Sequence, residues 1–311
     1  MAEGQSFTNA TEDAMKIFLA GGESRHYIQD ELLESQKKNE MRIYLAGNGI
    51  FPAYIAPDIR RAGCSYTSQG SGPGGARGGY DEIVTIYRPY ILESFFYADD
   101  DTERLIPFFG DFLLDSGAFT FMQGKGGSPN WDDYVERYAD FIIRNNVQKY
   151  FELDIDSVVG YERVKQIRAK LERLTGRPSI PVWHLSRGMD NFRGMCKDYG
   201  YVAIGGIVSG EITKDKYKAF PALIAEAHNH GGRIHGLGFT NLALLPQYHF
   251  DSVDSTAWTT GNRFGFLYYF DGKTMVKKDA PKGHKIGASR EAALNNYTEW
   301  LKYQKYAEKH L

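Results

Sequence analysis

Cysteine is nearly absent from this chain. Cys64 and Cys196 are the only two in 311 residues, and they form no CxxC pair. A cysteine-rich structural zinc site is thereby excluded, and a reducing compartment is the simple expectation. No run of about eighteen apolar residues and no signal-peptide pattern occurs, so a cytoplasmic protein that makes no use of the membrane is expected. Charge of one sign is lacking as well: 37 Lys and Arg against 39 Asp and Glu leave a net charge of −2. Nucleic-acid binding would therefore need a local basic face rather than overall charge. The glycine-rich stretch at 65–80, SYTSQGSGPGGARGGY, lacks the GK[ST] ending of a P-loop, and its composition predicts a flexible loop or lid.

What the chain does have is enough apolar residue to build a core, at 42% hydrophobic and 24% charged. It also has a rhythm. Short apolar runs alternate with helix-like stretches, and many of the runs end on a polar or glycine residue. Counting from Met41, the runs are 42–46, 91–95, 112–115, 150–154, 180–184, 201–205, 233–237 and 251–254. Apolar residues at spacings of three and four mark a helix over 131–146, and 214–230 shows one apolar helix face; 161–175 reads as a charged helix stopped near Gly176 and Pro178, and 188–199 and 288–309 read as helices too. An earlier run, KIFLA at 16–20, stands outside this count. Strands alternating with helices predict parallel pairing through crossovers, and eight such units predict an α/β fold of the (β/α)8 TIM-barrel type. The rival, an open doubly wound sheet, usually carries GxGxxG after its first strand; GNG at 47–49 is a poor match. The chain 1–311 thus reads as one barrel domain. It carries a glycine-rich insertion near 65–80 and a lysine- and aromatic-rich extension from about 265 that suggests a hairpin.

In a barrel of this kind the C-terminal strand ends gather around one opening. Here those ends carry Asp115 with Ser116 and Gly117, then Asp154, His184, Gly205-Gly206, the turn from His235 through Gly236 to Gly238, and Asp254. Taken singly, each Asp is as well explained by a turn or cap. Taken together, three carboxylates at one mouth repel one another, and a ligand must offset that. One answer is a divalent metal held by Asp115, Asp154 and Asp254. The other is a substrate with N–H donors. The diglycine leaves backbone free to meet the edge of a flat polar ring, and Asp154 can accept from two ring N–H groups, as guanine offers. Asp254 would then attack a sugar carbon while Asp115 trades a proton with the departing base, the two-carboxylate logic of glycosidases.

These residues resemble a known family. DSGAF at 115–119 is similar to the DSGGFQ of tRNA-guanine transglycosylases, and GGIVSGE at 205–211 to their GGLAVGE. ELD at 152–154, GLG at 236–238 and FDSVDS at 250–255 stand where the family has its FDE strand end, its methionine-glycine turn and its nucleophile segment. The resemblance spans roughly residues 110–265. It implies a transglycosylase barrel with Asp254 as nucleophile and Asp115 as general acid/base. Ser116, Gly117, Asp154, Gly205, Gly206 and Gly236 would bind the substrate, and so would His184, which stands where the family usually has glutamine. Arg263, from the altered TTGNR signature, would be a phosphate contact. No cofactor is implied. The family's CxCxxC zinc subdomain is missing, and the tail instead carries Lys273, Lys277, Lys278, Lys282 and Lys285. That pattern resembles the phage and bacterial branch that exchanges guanine in DNA for a 7-deazaguanine such as preQ0, protecting the DNA from restriction. The implied partners are DNA, with tRNA as the alternative, and a free 7-deazaguanine base. A non-catalytic nucleic-acid-binding relative is the third reading.

Overall fold

The computed structural model describes residues 16–20, 90–122, 129–239, 241–279 and 290–311. The strand expected at 42–46, GNG at 47–49, Cys64, the glycine-rich stretch at 65–80, Lys282 and Lys285 lie outside the described residues. Within them the fold is mixed α/β, with parallel strands and flanking helices.

Eight strands form one parallel sheet: β1 (Lys16–Ala20), β2 (Tyr90–Ser94), β3 (Asp111–Asp115), β4 (Lys149–Tyr150), β5 (Val182–Trp183), β6 (Tyr201–Ile204), β7 (Arg233–Gly236) and β8 (Ser252–Ser255). Their order across the sheet is β4-β3-β2-β1-β8-β7-β6-β5. One expectation is corrected here. The strand between β8 and β2 is Lys16–Ala20, the apolar run left out of the count, which pairs Ile17 with Val253 and Leu19 with Ile91. A short apolar run reads the same wherever it lies along the chain, so the local pattern alone does not place Lys16–Ala20 in the sheet.

β4 and β5, at opposite ends of that order, are joined just past their hydrogen-bonded ladders. Phe151 and Ile180 form a single parallel bridge. The Ile180 N–H donates to the Tyr150 carbonyl at 2.8 Å, and the Glu152 N–H donates to the Ile180 carbonyl at 3.0 Å. Tyr138 adds its hydroxyl near the same place, reaching the carbonyls of Leu114 and Phe151 at 3.1 and 3.0 Å.

The apolar residues divide into two clusters. The larger lies between the sheet and its helices. It takes in α3 (Trp131–Arg144) through Tyr134, Val135, Tyr138 and Ile142, and α5 (Tyr161–Thr175) through Val164, Ile167 and Leu171. These are the three-and-four spacings of an amphipathic helix. Asn130 caps the start of α3, its side-chain oxygen accepting the Asp132 N–H, and α5 stops at Gly176, which takes the left-handed conformation. The smaller cluster is Leu92, Leu113, Phe151, Ile180, Val182 and Ala203. It draws on strands from both ends of the sheet and lies on the opposite strand face. Side chains alternate along a strand, so residues two further on share that face: Ser94, Asp115, His184 and Gly205.

The remaining helices are α1 (Asp100–Leu105), α2 (Ala118–Met122), α4 (Asp156–Val159), α6 (Gly188–Asp198), α7 (Phe220–Asn229), α8 (Ala257–Phe264) and α9 (Arg290–His310). The tail forms the expected hairpin, β9 (Phe266–Phe270) with β10 (Met275–Asp279), and α9 packs on it. Asn296 and Glu299 of α9 accept the N–H groups of Tyr268 and Phe270 at 2.6 and 2.7 Å, satisfying the edge of β9 that β10 leaves open.

A buried ion pair ties the two ends of the sheet together. Glu152 accepts the Val182 N–H at 2.8 Å and the Arg187 guanidinium at 2.6 Å, and Arg187 also grips Asp156 at 2.7 and 2.5 Å. Glu152 and Arg187 are both almost fully buried. Replacing Glu152 with Ala leaves a buried cation short of a partner and the Val182 N–H unpaired. The expected loss is about 3 kcal/mol in urea unfolding; a loss below about 1 kcal/mol contradicts the tying role.

Candidate functional site

Asp115 is the last residue of β3. Its carbonyl accepts the Phe95 N–H at 2.8 Å, and its carboxylate Oδ2 accepts the Gly117 N–H at 3.0 Å. It therefore does turn the chain, as a cap would. Gly117 has φ +78°, and a Cβ there would stand 2.7 Å from Phe96 Cβ, so no other residue fits without a shift. Ser116 is buried, and its carbonyl accepts the Tyr134 hydroxyl at 2.6 Å. A second property goes beyond capping. Burial first, then the charge of Asp154, then that of Asp254, push the Asp115 carboxyl up to about 7, against the Gly117 hydrogen bond. A carboxylate following β4 and one within β8 thus both bear on Asp115.

Asp154 sits just beyond the Phe151 bridge and is buried. Its Oδ2 is 2.9 Å from His184 Nε2, across the junction of β4 and β5. His184 Nδ1 in turn lies 3.2 Å from Glu211 Oε2, whose other oxygen accepts the Ser186 N–H at 2.8 Å. Burial opposes charge on this imidazole, but the hydrogen bond and charge of Asp154 outweigh it, and its pKa is raised. With a carboxylate on each nitrogen, the doubly protonated ring is the form that satisfies both contacts.

At the diglycine, neighbouring side chains account for the absence of a Cβ. A Cβ on Gly205 would fall 2.7 Å from His184 Cε1, and one on Gly206 would fall 2.7 Å from Glu211 Oε2. The space cleared by the missing side chains is filled by the imidazole and the carboxylate. Gly205 is further committed, its N–H donating to the Trp183 carbonyl at 2.8 Å. Glu211 closes the GGIVSGE motif, and that position was the signal from which its role could have been read.

Asp254 lies in β8 and is 7% exposed. Its Oδ1 accepts the Gly238 N–H at 2.5 Å and lies 3.2 Å from His235 Nε2. Gly236 ends β7 under Phe239 and Phe250, and Gly238 has φ +71° with Val208 packed over it. Arg263 falls in α8, and its side chain lies outside those described. Among the described residues, then, Asp115, Asp154, His184, Gly205, Gly206 and Asp254 come together at one end of the sheet. Sequence reasoning missed Glu152, Arg187, Glu211 and His235 as partners of this group. Lys273, Lys277 and Lys278 are exposed on the hairpin, Lys277 over the Phe266 ring at 4.5 Å and Lys278 over Tyr269 at 4.2 Å.

Among the described residues no group of three or more His, Cys, Asp and Glu side chains is arranged to hold a metal ion. Among the same residues no helix is long and apolar enough to cross a membrane. Neither the models of known families nor the curated proteins include a match to this chain.

The raised pKa of Asp115 has a consequence for stability. The folded chain holds this proton up to about pH 7, whereas the unfolded chain releases it near pH 4. The stabilising contribution is therefore complete below about pH 4 and lost by about pH 7. Asp115→Asn, which mimics the protonated acid, is expected to gain on the parent across that window, by up to about 4 kcal/mol at pH 8. Urea unfolding of both proteins at pH 4, 6 and 8 measures it; a pH-independent difference contradicts the assignment.

Proposed function

We propose that this chain is a (β/α)8 barrel that exchanges guanine in DNA for a 7-deazaguanine base through a covalent enzyme–sugar intermediate. Three features support the barrel: the strand order, the Phe151–Ile180 bridge between its two end strands, and one apolar cluster shared by strands from both ends. In a flat sheet, with strands about 4.8 Å apart, β2 and β6 would be too distant to share a cluster.

The observation that carries the chemical reading is the electrostatic pairing of Asp115 with Asp254. One carboxyl is poised near neutrality, and the other has one oxygen held by two donors. In this reading Asp254 Oδ2 attacks the anomeric carbon of the target nucleotide. The glycosidic bond breaks, its electron pair passes to the departing guanine, and Asp115 supplies the proton that neutralises that base. The resulting Asp115 carboxylate then takes a proton from the incoming 7-deazaguanine, whose ring nitrogen attacks the same carbon and frees Asp254. Protons and bonds balance over the cycle, and no redox step occurs. General acid–base help of this kind is worth about 10²–10⁴-fold. Asp154 and His184 line the place where the base would sit. With Glu211 on its Nδ1, His184 holds Asp154 through Nε2, so in this reading its part is to orient the Asp154 carboxylate toward the N–H groups of the base. DNA is favoured over tRNA because the zinc subdomain of tRNA-directed relatives is replaced by the lysine-bearing hairpin. The target guanine must leave the stack to reach the site, at a cost of a few kcal/mol.

Incubation with labelled guanine and either DNA or tRNA tests this reading. Label is expected in DNA, and label in tRNA alone overturns the choice of nucleic acid. A denaturation-resistant protein–DNA adduct is expected from the parent chain and not from Asp254→Asn. Absence of an adduct with either nucleic acid favours a binding protein, and loss of activity to chelator favours a metal hydrolase. Asp115→Asn is expected to slow exchange by about 10²-fold or more. Because Asp115 must start protonated, the parent's base-release step is expected to decline above about pH 7.

A further inference from the structure

Behind Asp254 a line of hydrogen bonds continues past the two donors on Oδ1, and the exchange reaction as written above makes no use of that continuation. In the parallel register of β7 and β8, His235 stands beside Ser252, and Asp254 follows two residues later on the same strand face. His235 is fully buried, with Nδ1 2.6 Å from Ser252 Oγ and Nε2 3.2 Å from Asp254 Oδ1. Ser252 Oγ also meets the Tyr201 hydroxyl, which rises from the start of β6. The Phe151 ring lies against the imidazole from the β4 side, with ring centres 5.3 Å apart.

The direction of this line follows from its two ends. A carboxylate only accepts, so His235 Nε2 must carry the hydrogen that faces Asp254. At the other end, burial raises the Tyr201 hydroxyl pKa, with the Ser252 hydrogen bond only partly opposing it. Tyr201 therefore keeps its proton and donates to Ser252, which donates to His235 Nδ1. The arrangement is satisfied throughout by a neutral imidazole in the Nε2–H form. We propose that His235, oriented by Ser252 and Tyr201, is a positioning residue that works with the Gly238 N–H to occupy Oδ1 of Asp254. Oδ2 is thereby left as the attacking oxygen. This rests on the reading of Asp254 as the nucleophile. The Gly238 donor is itself fixed, since a Cβ at that residue would meet Val208 Cγ2 at 2.2 Å.

Two measurements test the proposal, and the first needs no activity. Nitrogen-15 NMR of histidine-labelled protein is expected to show His235, assigned by its loss in His235→Gln, as the Nε2–H tautomer with a slowly exchanging ring proton. In Asp254→Ala that proton is expected to exchange fast. An Nδ1–H tautomer in the parent chain overturns the line of donors. The second is single-turnover adduct formation with guanine-containing DNA. A nucleophile misplaced by about 1 Å costs about 10²-fold, so His235→Leu is expected to slow adduct formation by about that much while DNA affinity stays within about twofold. His235→Gln, whose amide can still donate to Oδ1, is expected to recover at least about tenfold of that loss. A His235→Leu protein that is folded by circular dichroism and forms adduct at the parent rate overturns the positioning role. If the parent forms no adduct with any nucleic acid, the exchange reading falls, and the tautomer measurement still decides the donor line.

Discussion

Two carboxylates with one residue between them, Glu152 and Asp154, hold the structure together where the sheet order leaves a gap. β4 and β5 are short and share only a single bridge, so backbone pairing alone secures them weakly. Glu152 reaches across to the Val182 N–H and the Arg187 guanidinium, and Asp154 reaches across to His184. Both are buried, and a buried carboxylate without such partners would be strongly unfavourable. The desolvation cost therefore makes the partners obligatory, and those partners lie on the other end of the sheet. The site depends on this: His184 is placed by Asp154, and the fields of Asp154 and Asp254 act together on Asp115.

The glycines belong to the same constraint. Gly205 and Gly206 are small because His184 and Glu211 lie against them, and Gly238 because Val208 covers its turn. Each missing side chain lets a charged or hydrogen-bonding group approach the backbone. The polar groups are thereby packed as closely as an apolar core, and their geometry is set by contact as well as by charge.

Much of the site was legible as a pattern of strand ends. Asp115, Asp154, His184 and Asp254 stand at the ends of short apolar runs, and the period of two puts Asp115 and His184 on the same face as Leu113 and Val182 of their own strands. The helix over Trp131–Arg144 was legible from its spacing, and that over Tyr161–Thr175 from its charge and from Gly176 at its end; the Asn130 cap is seen only in the structure. What escaped were pairings between distant segments. Lys16–Ala20 looks no more like a strand than 42–46 does, and only its neighbours β8 and β2 give it a place. In sequence Glu152 is legible only as part of the ELD motif, since Arg187 lies 35 residues further on.

The sequence by itself determined which residue types stand at the strand ends and where helices begin and stop, because hydrophobic period and cap chemistry act over a few residues. Tertiary structure decided that Lys16–Ala20 lies between β8 and β2, and that an imidazole and a carboxylate pack against the diglycine. It also decided that His235 faces Asp254 while His184 faces Asp154. Those outcomes depend on strand register and on the cost of leaving buried polar groups unpaired, and both are settled only when distant segments meet.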